Sequence, residues 1–232
     1  MKGRIAFILI TFSIFFIIIK YVSIRSIIGK FFSKKSTSDV LNFLEPKVRL
    51  KYAKIFSAAN LSFPPRKIIL TAYKKEKVLE LWAKDEDNYK FIYQFEIKKA
   101  SGKPGPKLRE GDLQVPEGIY RILYLNPASQ FYLSFKLDYP NDFDRKKAES
   151  EGRTSLGDDI FIHGKEASAG CLAMGDDAIE DLFVLVGITG IENVTVFISP
   201  NRTFEKDNSV QYPSWTDELY ENTYNAIKAS LN

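Results

Sequence analysis

The sequence predicts a mainly β domain of the α+β kind, with helices at its edges and one N-terminal transmembrane helix ahead of it. Three observations carry that expectation. Seven short runs of β-forming residues recur between residues 67 and 198, several of them separated by Gly- and Pro-rich turns. Three other stretches repeat their apolar residues at helical spacing. An uncharged run, IAFILITFSIFFIII, fills residues 5–19.

As a helix, residues 5–19 would span roughly 22 Å, short of a hydrocarbon core of about 30 Å. Continuing to Ile28 supplies the missing length if Lys20 and Arg25 snorkel to the headgroups. No small-x-small cleavage pattern follows, so residues 1–32 read as an uncleaved membrane anchor. More cations follow the span (Lys20, Arg25, Lys30, Lys34, Lys35) than precede it (Lys2, Arg4), and that count alone would leave the body in the cytoplasm. Residues 33–66 form a linker and helical extension: a helix is expected over 39–59, with Val48, Tyr52, Ile55, Phe56 and Ala59 on one face and Pro46 in its first turn. Pro64 and Pro65 end it. Strands are expected over 67–73, 78–83, 89–97, 119–125, 131–137, 160–163 and 194–198, within a domain set at 67–199. A helix over 176–186 takes Asp176 as N-cap, ends before Gly187 and buries Ile179, Leu182, Phe183 and Val186. The C-terminal extension, 200–232, carries a helix from Ser214. Ser214 and Asp217 make its capping-box-like start, and Tyr220, Thr223, Tyr224, Ile227 and Leu231 face inward.

Composition narrows the chemistry. With 45% hydrophobic and 27% charged residues, the 232-residue chain excludes wholesale disorder and a multi-span membrane protein. Seven of its 33 Lys/Arg lie in residues 1–38, which hold no acid, leaving 26 basic against 29 acidic residues beyond them. That mildly acidic body argues against nucleic-acid binding. One cysteine excludes an internal disulfide, and one histidine beside it excludes zinc fingers and three-histidine zinc sites. No metal or cofactor is called for.

That histidine, His163, closes an apolar strand, and the cysteine, Cys171, lies eight residues on, just before a helix. A thiol is mostly protonated at neutral pH and needs a base to become a nucleophile. A Gly-containing loop can return the chain from the strand end toward His163, and Gly170 would let backbone N–H groups approach a substrate carbonyl as an oxyanion site. A lone cysteine also serves as a small buried hydrophobe. Asp159 shares a strand face with His163 but lies about 13 Å along a straight strand, so a backbone carbonyl is the expected partner of the imidazole. Ser168 is a candidate for supporting the loop or the oxyanion, and Tyr139, Asn141 and Gly164 for lining a substrate groove.

The pattern HG-x3-S-x-G-C at residues 163–171 resembles the signature of the L,D-transpeptidase (YkuD-type) catalytic domain, a bacterial cell-wall family with a cysteine nucleophile and a histidine partner. The segments SGKPGPK at 101–107 and GDLQVPEGIY at 111–120 are similar to that family upstream. NPASQFYLSF at 126–135, YPN at 139–141 and GCLAMGDDAIEDLF at 170–183 resemble its single-histidine murein L,D-transpeptidase-like branch. The resemblance covers roughly residues 67–199 and implies a β-sandwich or barrel core. Where many members carry a second histidine and an arginine around the cysteine, this chain has Ala169 and Ala173, which leaves His163 as the base. The resemblance implies peptidoglycan stem peptides as substrate. It leaves open whether the outcome is crosslinking, hydrolysis of a stem-peptide link or of one to a cell-wall lipoprotein, or an idle scaffold. It also implies an inner-membrane, single-pass protein whose catalytic domain faces the periplasm and cell wall.

Overall fold

The computed structural model describes residues 27, 28, 32, 34–86 and 88–231. The expected anchor therefore lies almost wholly outside the described residues. Among those residues no helix is long and apolar enough to cross a membrane.

Nine strands make one open sheet: β1 (Lys67–Tyr73), β2 (Val78–Lys84), β3 (Lys90–Glu96), β4 (Lys99–Ala100), β5 (Gly118–Asn126), β6 (Ser134–Leu137), β7 (Phe161–His163), β8 (Leu172–Ala173) and β9 (Val194–Ser199). Their spatial order is β3-β2-β1-β9-β5-β6-β7-β8-β4, an open half-barrel and not a closed barrel or two separate sheets. β5 joins the halves. Its start, Gly118–Arg121, pairs antiparallel with β9, and its end pairs with β6 across a register shift between Ile122 and Tyr124. Such a shift bends the strand and re-aims the sheet. Among the described residues, the helices that flank the sheet include α1 (Thr37–Ala58), α2 (Asp142–Ser150), α3 (Asp176–Thr189) and α4 (Thr216–Leu231). α1 buries Val40, Leu44, Val48, Tyr52 and Phe56. It lies close enough to α3 that a Cβ on Gly187 would stand 2.6 Å from a Leu41 methyl.

Several expectations are corrected. Pro46 sits in the interior of α1, not its first turn. An interior proline costs a helix about 3 kcal/mol, but Pro46 is exposed, so the carbonyl it strands can be hydrated while the buried stripe holds the helix. α3 is capped by Gly175, with no side-chain capping bond, and runs through Gly187 to end at Gly190, where φ is +89°. Gly187 answers the need for close helix packing. Residues 131–133 are irregular, and only Ser134–Leu137 of the expected strand forms. α4 starts at Thr216 and buries Thr216, Leu219, Tyr220 and Thr223, while Tyr224 is exposed.

Candidate active site

β7 ends at His163, and the loop that follows brings the chain back as β8, parallel to β7, with Ile162 opposite Leu172 and His163 opposite Ala173. Ile162 and Leu172 are fully buried in the core. Strand alternation therefore sends Phe161, His163 and Cys171 to the other face. The loop is stapled at its base. Met174 N–H donates to His163 O (2.8 Å), Gly175 N–H to Lys165 O (2.9 Å), and Lys165 N–H to the Asp176 carboxylate (2.8 Å). The chain's one cysteine and one histidine thus share a face of two adjacent short strands, as diagonal neighbours.

The imidazole is almost fully buried, with Phe131 stacked on it at 4.6 Å between ring centroids. Its Nδ1 lies 2.5 Å from Gly164 O. A carbonyl can only accept, so Nδ1 carries the proton and Nε2 keeps its lone pair in the neutral ring. The backbone carbonyl expected from the sequence is therefore present. Burial, followed by the nearby Lys165 cation, pushes the imidazole below its ordinary pKa, against the Gly164 bond. The thiol is half-buried: Phe161 N–H donates to Sγ at 3.4 Å, and the S–H points at Asp159 O, 3.6 Å away. Burial pushes the thiol up, with Phe161 N–H and the Lys107 ammonium opposing. The resting pair is thus a neutral thiol and a neutral imidazole. No hydrogen bond joins them directly, and the Asp159 carboxylate is engaged by Lys136 at 2.7 Å.

Gly170, at φ +116°, is a residue only glycine suits. Its N–H is already committed to Ser101 Oγ at 2.7 Å, which corrects its expected use for an oxyanion. Cys171 N–H lies outside both that contact and the ladder, where Leu172 continues the pairing. Ser168 supports the loop: its hydroxyl donates to Cys171 O (2.6 Å) and meets Ser101 Oγ (2.9 Å). Asn141 is not placed as a groove residue but as the N-cap of α2, accepting from Asp144 N–H while its amide donates to Ile119 O. Gly164 is buried, and a Cβ there would meet Phe131 O at 2.7 Å, so it packs the histidine strand and lines no groove. Tyr139 is buried with its hydroxyl on Leu156 O (3.3 Å). It does border a cavity of about 630 Å³ that also includes Lys136, Arg145 and Asp158.

Other site-building residues escaped the sequence reading. Gln114 braces the turn that carries Ser101, accepting from Lys103 N–H and donating to Gly105 O. Glu117 ties Lys74 (2.8 Å), Gly105 N–H (3.0 Å) and the Tyr220 hydroxyl (2.7 Å) together. Phe131 was legible only as an apolar residue in a strand run. No group of three or more His, Cys, Asp or Glu among the described residues could hold a metal ion.

Known proteins resemble this chain. "Putative L,D-transpeptidase YafK" of Escherichia coli (strain K12) is 34% identical over 140 residues, covering 58% of this chain and 54% of that protein. The same description and identity apply in E. coli O157:H7, so the chain spans about half the length of the curated relatives it matches. Among solved structures, the helical cell shape determining protein Pgp2 from Campylobacter jejuni shares 22% identity, over 60% of this chain and 49% of that one, with a TM-score of 0.49. Bd1075 from Bdellovibrio bacteriovorus shares 18%, over 72% and 57%, with a TM-score of 0.44. The family model for the YkuD L,D-transpeptidase catalytic domain matches residues 66–198, more than half of the chain and all nine strands but the last residue of β9. The chain belongs to the YkuD family of L,D-transpeptidase catalytic domains.

Proposed function

We propose that the protein is a peptidoglycan enzyme that transfers the acyl group of a stem peptide through a thioester on Cys171. The observation that carries the reading is the shared face of β7 and β8, with Nδ1–H of His163 committed to Gly164 O and Nε2 left as the basic nitrogen. Nε2 takes the thiol proton as Sγ attacks the carbonyl carbon at the L-centre of the stem peptide. The tetrahedral oxyanion takes the N–H of Cys171 as donor. Collapse breaks the C–N bond, and the imidazolium returns its proton to the departing amine, leaving a thioester. An acceptor then attacks the thioester, losing its proton to Nε2, and the thiol is restored. An amine from a second stem, or from a lysine of a cell-wall lipoprotein, makes the reaction a transfer. Water makes it a hydrolysis, and the same residues serve both. This reading places the domain on the cell-wall side of the inner membrane, held by residues 1–32.

Incubating the protein with defined muropeptides and analysing the products by mass spectrometry tests it. The expected results are an acyl adduct on Cys171 and either crosslinked or shortened stems, all lost in Cys171→Ala. Turnover by Cys171→Ala at the parent's rate would reject the mechanism. An exported signal from a reporter fused after Asn232 checks the topology, and a cytoplasmic signal would remove the substrate.

A further inference from the structure

Four hydroxyls, those of Thr71, Ser134, Thr189 and Thr216, are buried without a hydrogen-bond partner among the described residues. An unpaired buried polar group costs about 1–3 kcal/mol, so each calls for a reason. Three sit in β1, at the end of α3 and at the start of α4, away from the site. Ser134 is different. It lies directly across from His163 in the antiparallel β6–β7 pair and is 1% exposed. The flanking bonds, Leu137 N–H to Ile160 O and Gly164 N–H to Leu133 O, make Ser134–His163 a non-hydrogen-bonded pair. In that kind of pair the Cα atoms approach to about 4.5 Å and side chains on one face come closest. Lys136, two residues on and also on that face, confirms the direction by reaching Asp159 over Phe161.

We propose that Ser134 is a positioning residue for His163, its hydroxyl oxygen turning to the ring and stabilising the imidazolium formed when Nε2 takes the thiol proton. This rests on the reading of Cys171 and His163 given above. The need is physical: the ring is buried, Gly164 O engages only Nδ1, and the charged form must nevertheless appear during each turnover. The charged groups around the ring are Lys165 in the following loop, Asp176 at the start of α3, Lys136 with Asp159 beside β6 and Lys99 opposite Ala173 in β4, and the titratable neutral group is the thiol. None of them supplies a second acceptor to the imidazole, whose one hydrogen bond among the described residues is to Gly164 O.

Because His163 is the only histidine, its ring signals in a tag-free, 13C-histidine-labelled full chain in detergent are unambiguous, and NMR reads its titration without any catalysis. The hydroxyl favours the charged ring, so Ser134→Ala should lower the titration midpoint by about 0.5–1 pH unit, the worth of one hydrogen bond. Ser134→Val should do the same, while Ser134→Thr, matched to Val in shape but bearing the hydroxyl, should keep the parent's midpoint. The acid limb of the rate of Cys171 acylation should move with the midpoint in each variant. A common midpoint for Val and Thr in folded proteins would overturn the proposal, even where Ala fails to fold. A parent that titrates normally but never acylates Cys171 would instead remove the catalytic reading and leave the contact standing.

Discussion

At one end of the sheet β1, β2 and β3 each run seven residues, and at the other β6, β7, β8 and β4 run four, three, two and two. The long-strand end is held by full ladders and buried side chains, among them Ile68, Leu70, Leu79 and Leu81, each worth about 1.5–3 kcal/mol when withdrawn from water. The short-strand end has too few ladder bonds to fix its loops. There, side chains hold backbone instead. Asp112 accepts from the N–H groups of Leu108, Arg109 and Gln114, Ser168 clasps Cys171 O, and where the loop at 101–117 meets the long strands Glu117 gathers Lys74, an N–H and a tyrosine. Polar clasps position a reactive loop more finely than an apolar contact can, because hydrogen bonds are directional. They also make that half vulnerable to single substitutions and to pH.

The sharpest way to break the contrast is Glu117→Ala. It strands the Lys74 ammonium, whose side chain is 8% exposed, without its carboxylate, and removes a partner from Gly105 and from Tyr220. Breaking a buried ion pair on one side costs about 3–5 kcal/mol, which urea unfolding would read directly. A loss below about 1 kcal/mol would mean that this knot does not hold the loop end. Leu81→Ala is the counterpart in the long-strand half. It should cost about 2–5 kcal/mol through cavity formation, yet leave Cys171 acylation near the parent's rate wherever the protein is folded. If that variant lost activity in proportion to Glu117→Ala, the two halves would not be separable.

The contrast also explains what could be read from the chain beforehand. The seven-residue strands announce themselves because several alternating or apolar residues in a row form a periodic signal, and β1 has the bounds expected of it. Two residues carry no period, so β4 and β8 were invisible. α2, DFDRKKAES, has no apolar stripe, and its buried residues are Asp144 and Ala148. His163 and Cys171 stood out by being unique and close in sequence. The Ser101–Ser168 contact joins residues 67 apart, and nothing local to either announces the other. Asn141 misled for a plain reason: a helix N-cap and a groove-lining amide look alike in sequence.

Smaller effects probe the thiol and its clasp. Burial favours the protonated thiol and the uncharged imidazole, so at pH 7 iodoacetamide should alkylate native Cys171 more slowly than the same cysteine unfolded in urea. Its rate should keep rising with pH beyond the ordinary thiol range, while the acid limb of acylation falls below the usual 6.5 of an imidazole. Mass-spectrometric labelling of the one cysteine follows both, and native alkylation faster than in urea would point to a preformed ion pair. Ser168→Ala removes one donor to Cys171 O and should cost about 1 kcal/mol, a melting shift of roughly 2–4 °C. Its acylation rate should fall about fivefold, and an unchanged rate would show that Cys171 is held without it.

The mildest effect concerns α2, which follows the short β6. Asp144 closes its capping box, accepting from Asn141 N–H at 3.0 Å and from the Tyr120 hydroxyl at 3.4 Å. Burial outweighs both bonds and raises its carboxyl from 3.8 to about 6. The folded protein therefore holds a proton between those values that the unfolded chain has released. By linkage, the contribution of Asp144 is fullest below pH 3.8 and is lost as pH rises through about 6, a change on the order of 3 kcal/mol. Asp144→Asn keeps an acceptor for Asn141 N–H but cannot ionise. Relative to the parent it should gain stability between pH 4 and 7, with the two chains most alike at the acid end. Urea midpoints at several pH values measure that difference, and a constant offset across the window would show that folding leaves this carboxyl unperturbed. α1 behaves differently: its own capping box uses the exposed Asp39, lowered by its bonds to Ser36. The same motif thus gives an ordinary surface cap at the start of one helix and a pH-responsive one at the start of another, and burial makes the difference.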